Sequence, residues 1–306
     1  MASLRELRRR IRSVASIKQI TRALEMVAIT KLRRYQGKAL AARPYTDELL
    51  AMLARLAPLA GEGGFRHPLF QAPPRPRAAG GEAAVGILLV TSDRGYCGSY
   101  NTKVFEQFHA LLDERRGAPI RIHVVGRKGY AYLVRRGREV ARYFAEPPLE
   151  RIDFRAARLL AQQLVEGFLG GAYGELHVVA TRFVSMVSQR AIRARLLPLD
   201  PGALLADAGG GKKEEAPRFG DTLLEPDART IFEALVPKVL ETKVYHLLLE
   251  SLTAEYAARR LSMKNATDAA EEMRQDLWRL LNRARQERIT KELLEIVGGA
   301  EALRSA

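Results

Sequence analysis

Apolar residues recur at helical spacing at both ends of the chain and give way to short continuous runs in the middle. Near the N-terminus they fall at Leu4, Leu7, Ile11, Val14, Ile17, Ile20, Leu24 and Val27, and the first helix breaker is Gly37. Near the other end no Gly or Pro interrupts the chain from Lys238 to Val297. As a helix this second stretch would extend roughly 90 Å, several times an ordinary globular helix. Such helices must bury their apolar stripes on each other or inside a partner. The pattern predicts an N-terminal helix over Leu4 to Leu56, with a kink at Arg43-Pro44. It predicts a C-terminal helix kinked or restarted at Pro237 and capped at Gly298-Gly299. Both seams read as imperfect heptads. Val14, Ile17 and Ile20 give an extra three-residue step, a stammer, whereas Met273, Leu277, Leu280 and Ala284 keep a four-three-four rhythm.

Between the helices the period changes. Val85 to Val90, Ile120 to Val125, Glu139 to Phe144, Glu175 to Phe183 and Ala191 to Leu197 read as strands. Ser99 to Arg115, Arg127 to Arg136 and Asp153 to Leu169 read as helices, the last capped by Asp153. Strands alternating with helices predict a mainly parallel sheet with right-handed crossovers and an antiparallel pair at one edge. The Gly- and Pro-rich stretch from Pro58 to Gly81 reads as a linker without regular structure. The predicted organisation is helical over 1–58 and 222–306, linker over 59–83, Rossmann-like α/β over 84–200, and loop over 201–221.

Composition narrows the function. The formal net charge is +15 and the pI near 10.2, which calls for an acidic partner. From Arg5 to Arg43, twelve Lys and Arg face only Glu6 and Glu25. No aromatic residue interleaves with these charges before Tyr35, which argues against nucleic acid. Cys97 is the single cysteine, so no internal disulfide forms, and no apolar run approaches the ~18–20 residues of a membrane span. The Arg-rich start also has the look of a transit peptide. However, the helical pattern continues past Lys31, and Ser3 to Glu6 reads as a capping box.

Catalytic chemistry is scarce. Ser92 to Gly98 follows a strand and opens a helix, where nucleotide folds cradle phosphate. Only Gly95 and Gly98 are present, so a tight turn is the simpler reading. Val125-Gly126-Arg127-Lys128-Gly129 is another such turn. Gly211-Lys212 lacks the first Gly and the Ser or Thr of a Walker loop. The five histidines are scattered, which predicts no metal site. No cofactor is expected, and no residue is a candidate for catalysis.

The segment Ile17-Lys18-Gln19-Ile20-Thr21-Arg22-Ala23-Leu24-Glu25-Met26-Val27-Ala28 resembles the N-terminal motif of the gamma subunit family of F-type ATP synthases. Thr91 to Gly98 is similar to that family's strand–turn motif. Met263 to Ala269 and Asn282 to Val297 are similar to its C-terminal signatures. The matches lie in order and span nearly the whole chain. The resemblance implies a non-catalytic bacterial rotor shaft: an antiparallel coiled coil of the terminal helices inside a ring of alpha and beta subunits. It implies a Rossmann-like domain against the epsilon (or delta) subunit of the central stalk and the c-ring, peripheral to the cell membrane on its cytoplasmic side. It also implies that Leu24, Glu25 and Met26, with Arg285, Gln286 and Thr290, contact the beta subunits. Leu24 stands where many relatives carry Met. The regulatory cysteine insertion of chloroplast relatives is absent, so thiol control is not expected, and the motif's start near Met1 predicts no import extension. The competing reading is a basic coiled-coil protein that binds nucleic acid and carries a Rossmann-like domain. It predicts salt-sensitive binding to RNA or DNA.

Overall fold

The computed structural model describes residues 3–56, 67–73, 84–200 and 224–304. Its elements are α1 (Leu4–Leu56), β1 (Val85–Val90), α2 (Tyr100–Glu114), β2 (Ile120–Val125), α3 (Arg127–Arg135), β3 (Arg142–Phe144), α4 (Phe154–Leu169), β4 (Glu175–Phe183), β5 (Gln189–Leu197) and α5 (Ala228–Arg304). The chain divides into two compact units, Met1–Ile29 with Arg259–Ala306, and Thr30–Ala258.

In the Thr30–Ala258 unit a five-stranded sheet has the order β3-β2-β1-β4-β5. The first four are mutually parallel and β5 runs antiparallel to β4 at one edge. All six residues of β1 are buried, as expected of a central strand covered on both faces. Val85, Ile87 and Leu89 on one face pack with Val104, Phe108 and Leu111 of α2 and Leu133 of α3. Gly86 faces the other way, where an added Cβ would lie 2.9 Å from Leu176 and 3.0 Å from the Tyr173 ring. The Tyr173 hydroxyl donates to the Leu164 carbonyl of α4 at 2.6 Å. Asp153 caps α4, its Oδ1 accepting from Ala156 N at 2.8 Å.

Several sequence expectations change. β3 is shorter than Glu139 to Phe144. Gly137 takes φ +65 as α3 ends, Arg138 N still donates to Leu133 O, and pairing with β2 begins only at Arg142 opposite His123. Among the described residues of the linker, 67–73, lies a regular turn, a 3-10 helix at Pro68–Phe70 started by His67, whose side chain accepts from Leu69 N. The rest of that linker and the 201–221 loop lie outside the described residues. α1 continues through Pro44 and α5 through Pro237, each proline removing one N–H from the ladder without ending it. α5 starts at Asp227, whose carboxylate accepts from Thr230 N and Oγ1, so it does not restart at Pro237. Nor does it stop at Gly298-Gly299. It runs on to Arg304, because a glycine caps a helix only where it turns to positive φ, and Gly298 does not.

In the other unit α1 and α5 pair antiparallel. Leu7 and Ile11 pack with Leu281, Lys18 pairs with Glu271 at 2.7 Å, and the Thr267 hydroxyl donates to Thr21 Oγ1 at 2.8 Å. The seam of α1 is Leu7, Ile11, Val14, Lys18, Thr21, Glu25 and Ala28, all buried or half-buried. That is an unbroken four-three heptad. The stammer is therefore absent: Ile17 and Ile20 are 50% and 60% exposed. On α5 the seam is Met263, Thr267, Ala270, Arg274, Leu277, Leu281 and Ala284, while Met273 and Leu280 face outward.

Candidate functional site

The strand–turn motif after β1 occupies the place where a nucleotide fold would hold phosphate. β1 connects through α2 to β2 on one side and lies beside β4 on the other, so its C-terminal end is the topological switch point. A phosphate there would need the free N–H groups opening a helix. The motif uses those of α3 itself. Arg127 N donates to Asp93 Oδ1 at 3.0 Å, Lys128 N to the Ser92 carbonyl at 3.0 Å, and Gly129 N to Thr91 Oγ1 at 2.9 Å. Asp93 Oδ2 also accepts from Leu149 N at 3.0 Å. An internal carboxylate thus stands where an external anion would bind. Gly126 makes the approach possible: its φ is +98, and a Cβ there would lie 2.1 Å from the Thr91 oxygen.

The crevice beside this turn is filled by α5. Ala254 and Ala258 pack on Cys97, Tyr100 and Phe183. The Tyr100 hydroxyl donates to the Ser251 carbonyl at 3.2 Å, and Ser251 Oγ donates to the Thr181 carbonyl at 3.3 Å. Burial pushes the Tyr100 hydroxyl far above its ordinary pKa, so it remains a donor. Cys97 is 2% exposed and packs as a small apolar group. Tyr96 in the same turn holds φ +63 and is 73% exposed. Among the described residues no three His, Cys, Asp or Glu gather as a metal site.

The partner-contact candidates all lie in the Met1–Ile29 and Arg259–Ala306 unit, in two separate groups. Leu24 and Glu25 are half-buried and Met26 is 59% exposed. Arg285, Gln286 and Thr290 are exposed, with the Thr290 hydroxyl donating to the Gln286 carbonyl at 3.0 Å. Thr21 opposes Thr267 and Leu7 packs with Leu281, so the groups sit about 30 Å apart along the pair and are not brought together.

The fold defines a class: a Rossmann-like α/β domain whose nucleotide corner is closed by its own loop and by a long helix paired antiparallel with the N-terminal one. Comparison with known proteins agrees in sequence and in fold. Residues 3–303 match the ATP synthase family described as ATP-synt. The ATP synthase gamma chain of Saccharopolyspora erythraea is 41% identical over 323 residues, covering 100% of this chain and 99% of that one. That of Mycobacterium tuberculosis is 40% identical over 326 residues, with the same coverage. A solved Euglena gracilis mitochondrial ATP synthase (OSCP/F1/c-ring, rotational state 3) contains a chain matching 99% of this one at TM-score 0.61 and 19% identity, covering 95% of that chain. The chain belongs to the ATP synthase gamma-chain family.

Proposed function

We infer that this chain is the non-catalytic central shaft of an F-type ATP synthase, coupling rotation of a membrane-bound ring to conformational change in catalytic beta subunits. The observation that carries this is the end-to-end match to gamma chains, which includes both long helices. The similar solved structures, one an OSCP/F1/c-ring assembly and one a central stalk with its c-ring, support alpha, beta, central-stalk and c-ring subunits as the partners.

The mechanism follows from asymmetry. A shaft with different side chains around its circumference presents a different face to each of three equivalent catalytic subunits. Only differential contacts can shift a conformational equilibrium, so each face favours a different open or closed state. Turning the shaft passes each site through binding, synthesis and release. The exposed Ile17, Ile20, Met26 and Val27 support such contacts on one helix. Leu24, Glu25 and Met26, with Arg285, Gln286 and Thr290, are the residues assigned to the beta subunits. In this reading 1–58 and 222–306 form the shaft, and 84–200 the domain that meets the stalk and c-ring. No helix among the described residues is long and apolar enough to cross a membrane. The chain is peripheral, attached through the membrane rotor on its cytoplasmic side. Reconstitution with alpha and beta subunits tests the reading. ATP-driven directional rotation is expected, and a chain that neither enters the complex nor turns in it is not the shaft.

A further inference from the structure

Within the Thr30–Ala258 unit, the short stretch from Glu150 to Phe154 touches both long helices at two levels. At the first level, Glu150 Oε2 accepts from Lys31 Nζ of α1 at 2.5 Å, and Oε1 accepts from the Tyr256 hydroxyl of α5. The Glu150 carbonyl accepts from the Tyr35 hydroxyl at 2.9 Å. Lys31 Nζ lies 5.3 Å from the centre of the Tyr256 ring, which stands 5.4 Å from the Tyr35 ring. Arg94 Nε is 3.9 Å from the carboxylate. At the second level, Phe154 meets Tyr45 of α1 and Tyr245 of α5 edge-on, at 6.5 and 5.6 Å between ring centres. Tyr245 and Tyr256 are about 16 Å apart along α5.

Three further polar contacts of the α/β domain among the described residues are of a different kind. The Tyr100–Ser251 and Gln162–Glu241 hydrogen bonds and the Arg182–Glu250 ion pair each engage α5 alone. A contact to one helix is a pivot. Two contacts at separate levels, each bridging both helices, resist twist and sliding together. The chemistry is also directional. Burial opposes ionisation of Glu150, but the hydrogen bonds from Lys31 and Tyr256, with the charges of Lys31 and Arg94, hold its carboxyl below the usual range. A partly buried ion pair is a poor source of stability compared with apolar packing, and a good way to fix one geometry.

We propose that Glu150 to Phe154 is the key through which torque passes between the α/β domain and the paired helices, with Glu150 and Phe154 as positioning residues. The proposal rests on the rotor reading. It is tested on the chain assembled with alpha and beta subunits, a bead being attached to the α/β domain at Arg138→Cys, while ATP consumed per revolution is measured at increasing viscous load. For Glu150→Gln combined with Phe154→Leu, consumption per turn is expected to match the native chain without load and to rise several-fold under load, because the helices turn and the domain slips. Exchanging the charges (K31E with E150K) should restore loaded coupling relative to either change alone. A double variant that assembles and keeps native consumption at every load overturns the proposal. If that variant fails to assemble, Lys31→Gln and Phe154→Tyr carry the test, and native loaded coupling in Lys31→Gln overturns it. A native chain that does not rotate at all brings down the rotor reading and this proposal with it, whereas native rotation with unaffected variants removes this proposal alone.

Discussion

Asp93 shows how a residue can look like part of a binding site and instead close one. Its two oxygens take backbone N–H groups from the start of α3 and from Leu149, so it fixes two segments of chain at once. Hydrogen bonds to a charged group are the stronger kind. Asp93→Ala should therefore cost about 2 kcal/mol, read as a lower Tm, and a Tm within error of native would refute the clamp. Because the N–H groups opening α3 are already engaged, titration of the isolated chain with ATP should give no heat. Saturable binding lost on mutating this turn would contradict that. His123 carries a pH prediction. Burial, with Arg142 and Arg121 nearby, lowers its pKa to about 4, and neither ring nitrogen has a hydrogen-bond partner. The folded value lies below the unfolded one, so the unfolded chain binds the proton first. Its contribution is full above pH 6.5 and is lost as pH falls from 6.5 towards 4, on the order of 3 kcal/mol. His123→Phe should flatten that part of the stability–pH curve, and an unchanged curve would acquit His123.

At the scale of elements, the sequence made the long helices plain and misread how they meet. The helices were legible because breakers are few and Ser3 caps α1, whereas the start of α5 at Asp227 and its end at Arg304 were not. The seam was not, because apolar residues occupy both the inner and the outer face of α1. Ile17 and Ile20 look like core and are exposed, while Lys18 and Thr21 look like surface and lie in the seam. What seats the polar residues is a partner some 250 positions away: Glu271 for Lys18 and Thr267 for Thr21. A single sequence carries no trace of such pairings. The same holds for Glu150 with Lys31 and Tyr256, which only the folded chain joins. Polar seam layers select one register at some expense in stability. Thr21→Val alone should cost about 1 kcal/mol, whereas Thr21→Val with Thr267→Val should return to within about 0.5 kcal/mol of native. A double-mutant cycle on thermal unfolding measures the difference. If the two losses simply add, the hydroxyl pair does not hold the helices in step.

For the whole molecule, the outer face of the helix pair is what remains once the seam is assigned, and there the contact residues can be separated from the structural ones. Arg285 and Gln286 are exposed on a helix whose nearby seam positions are Leu281 and Ala284. Removing their side chains subtracts nothing from that seam. Arg285→Ala with Gln286→Ala should leave the Tm of the isolated chain within the range of ordinary surface substitutions, about 0.5 kcal/mol. On the proposed assignment to the beta subunits, the same change meets a partner in the assembled complex. An interfacial Arg that fills a desolvated site is worth about 2 kcal/mol or more, so assembly or coupled proton pumping should fall by at least about tenfold in the corresponding equilibrium. The contrast between the two measurements identifies the role. A loss of stability in the free chain would make these residues part of the fold. Native stability together with native assembly, ATPase rate and pumping would mean that the beta subunits grip the shaft elsewhere on the outward faces of the two helices.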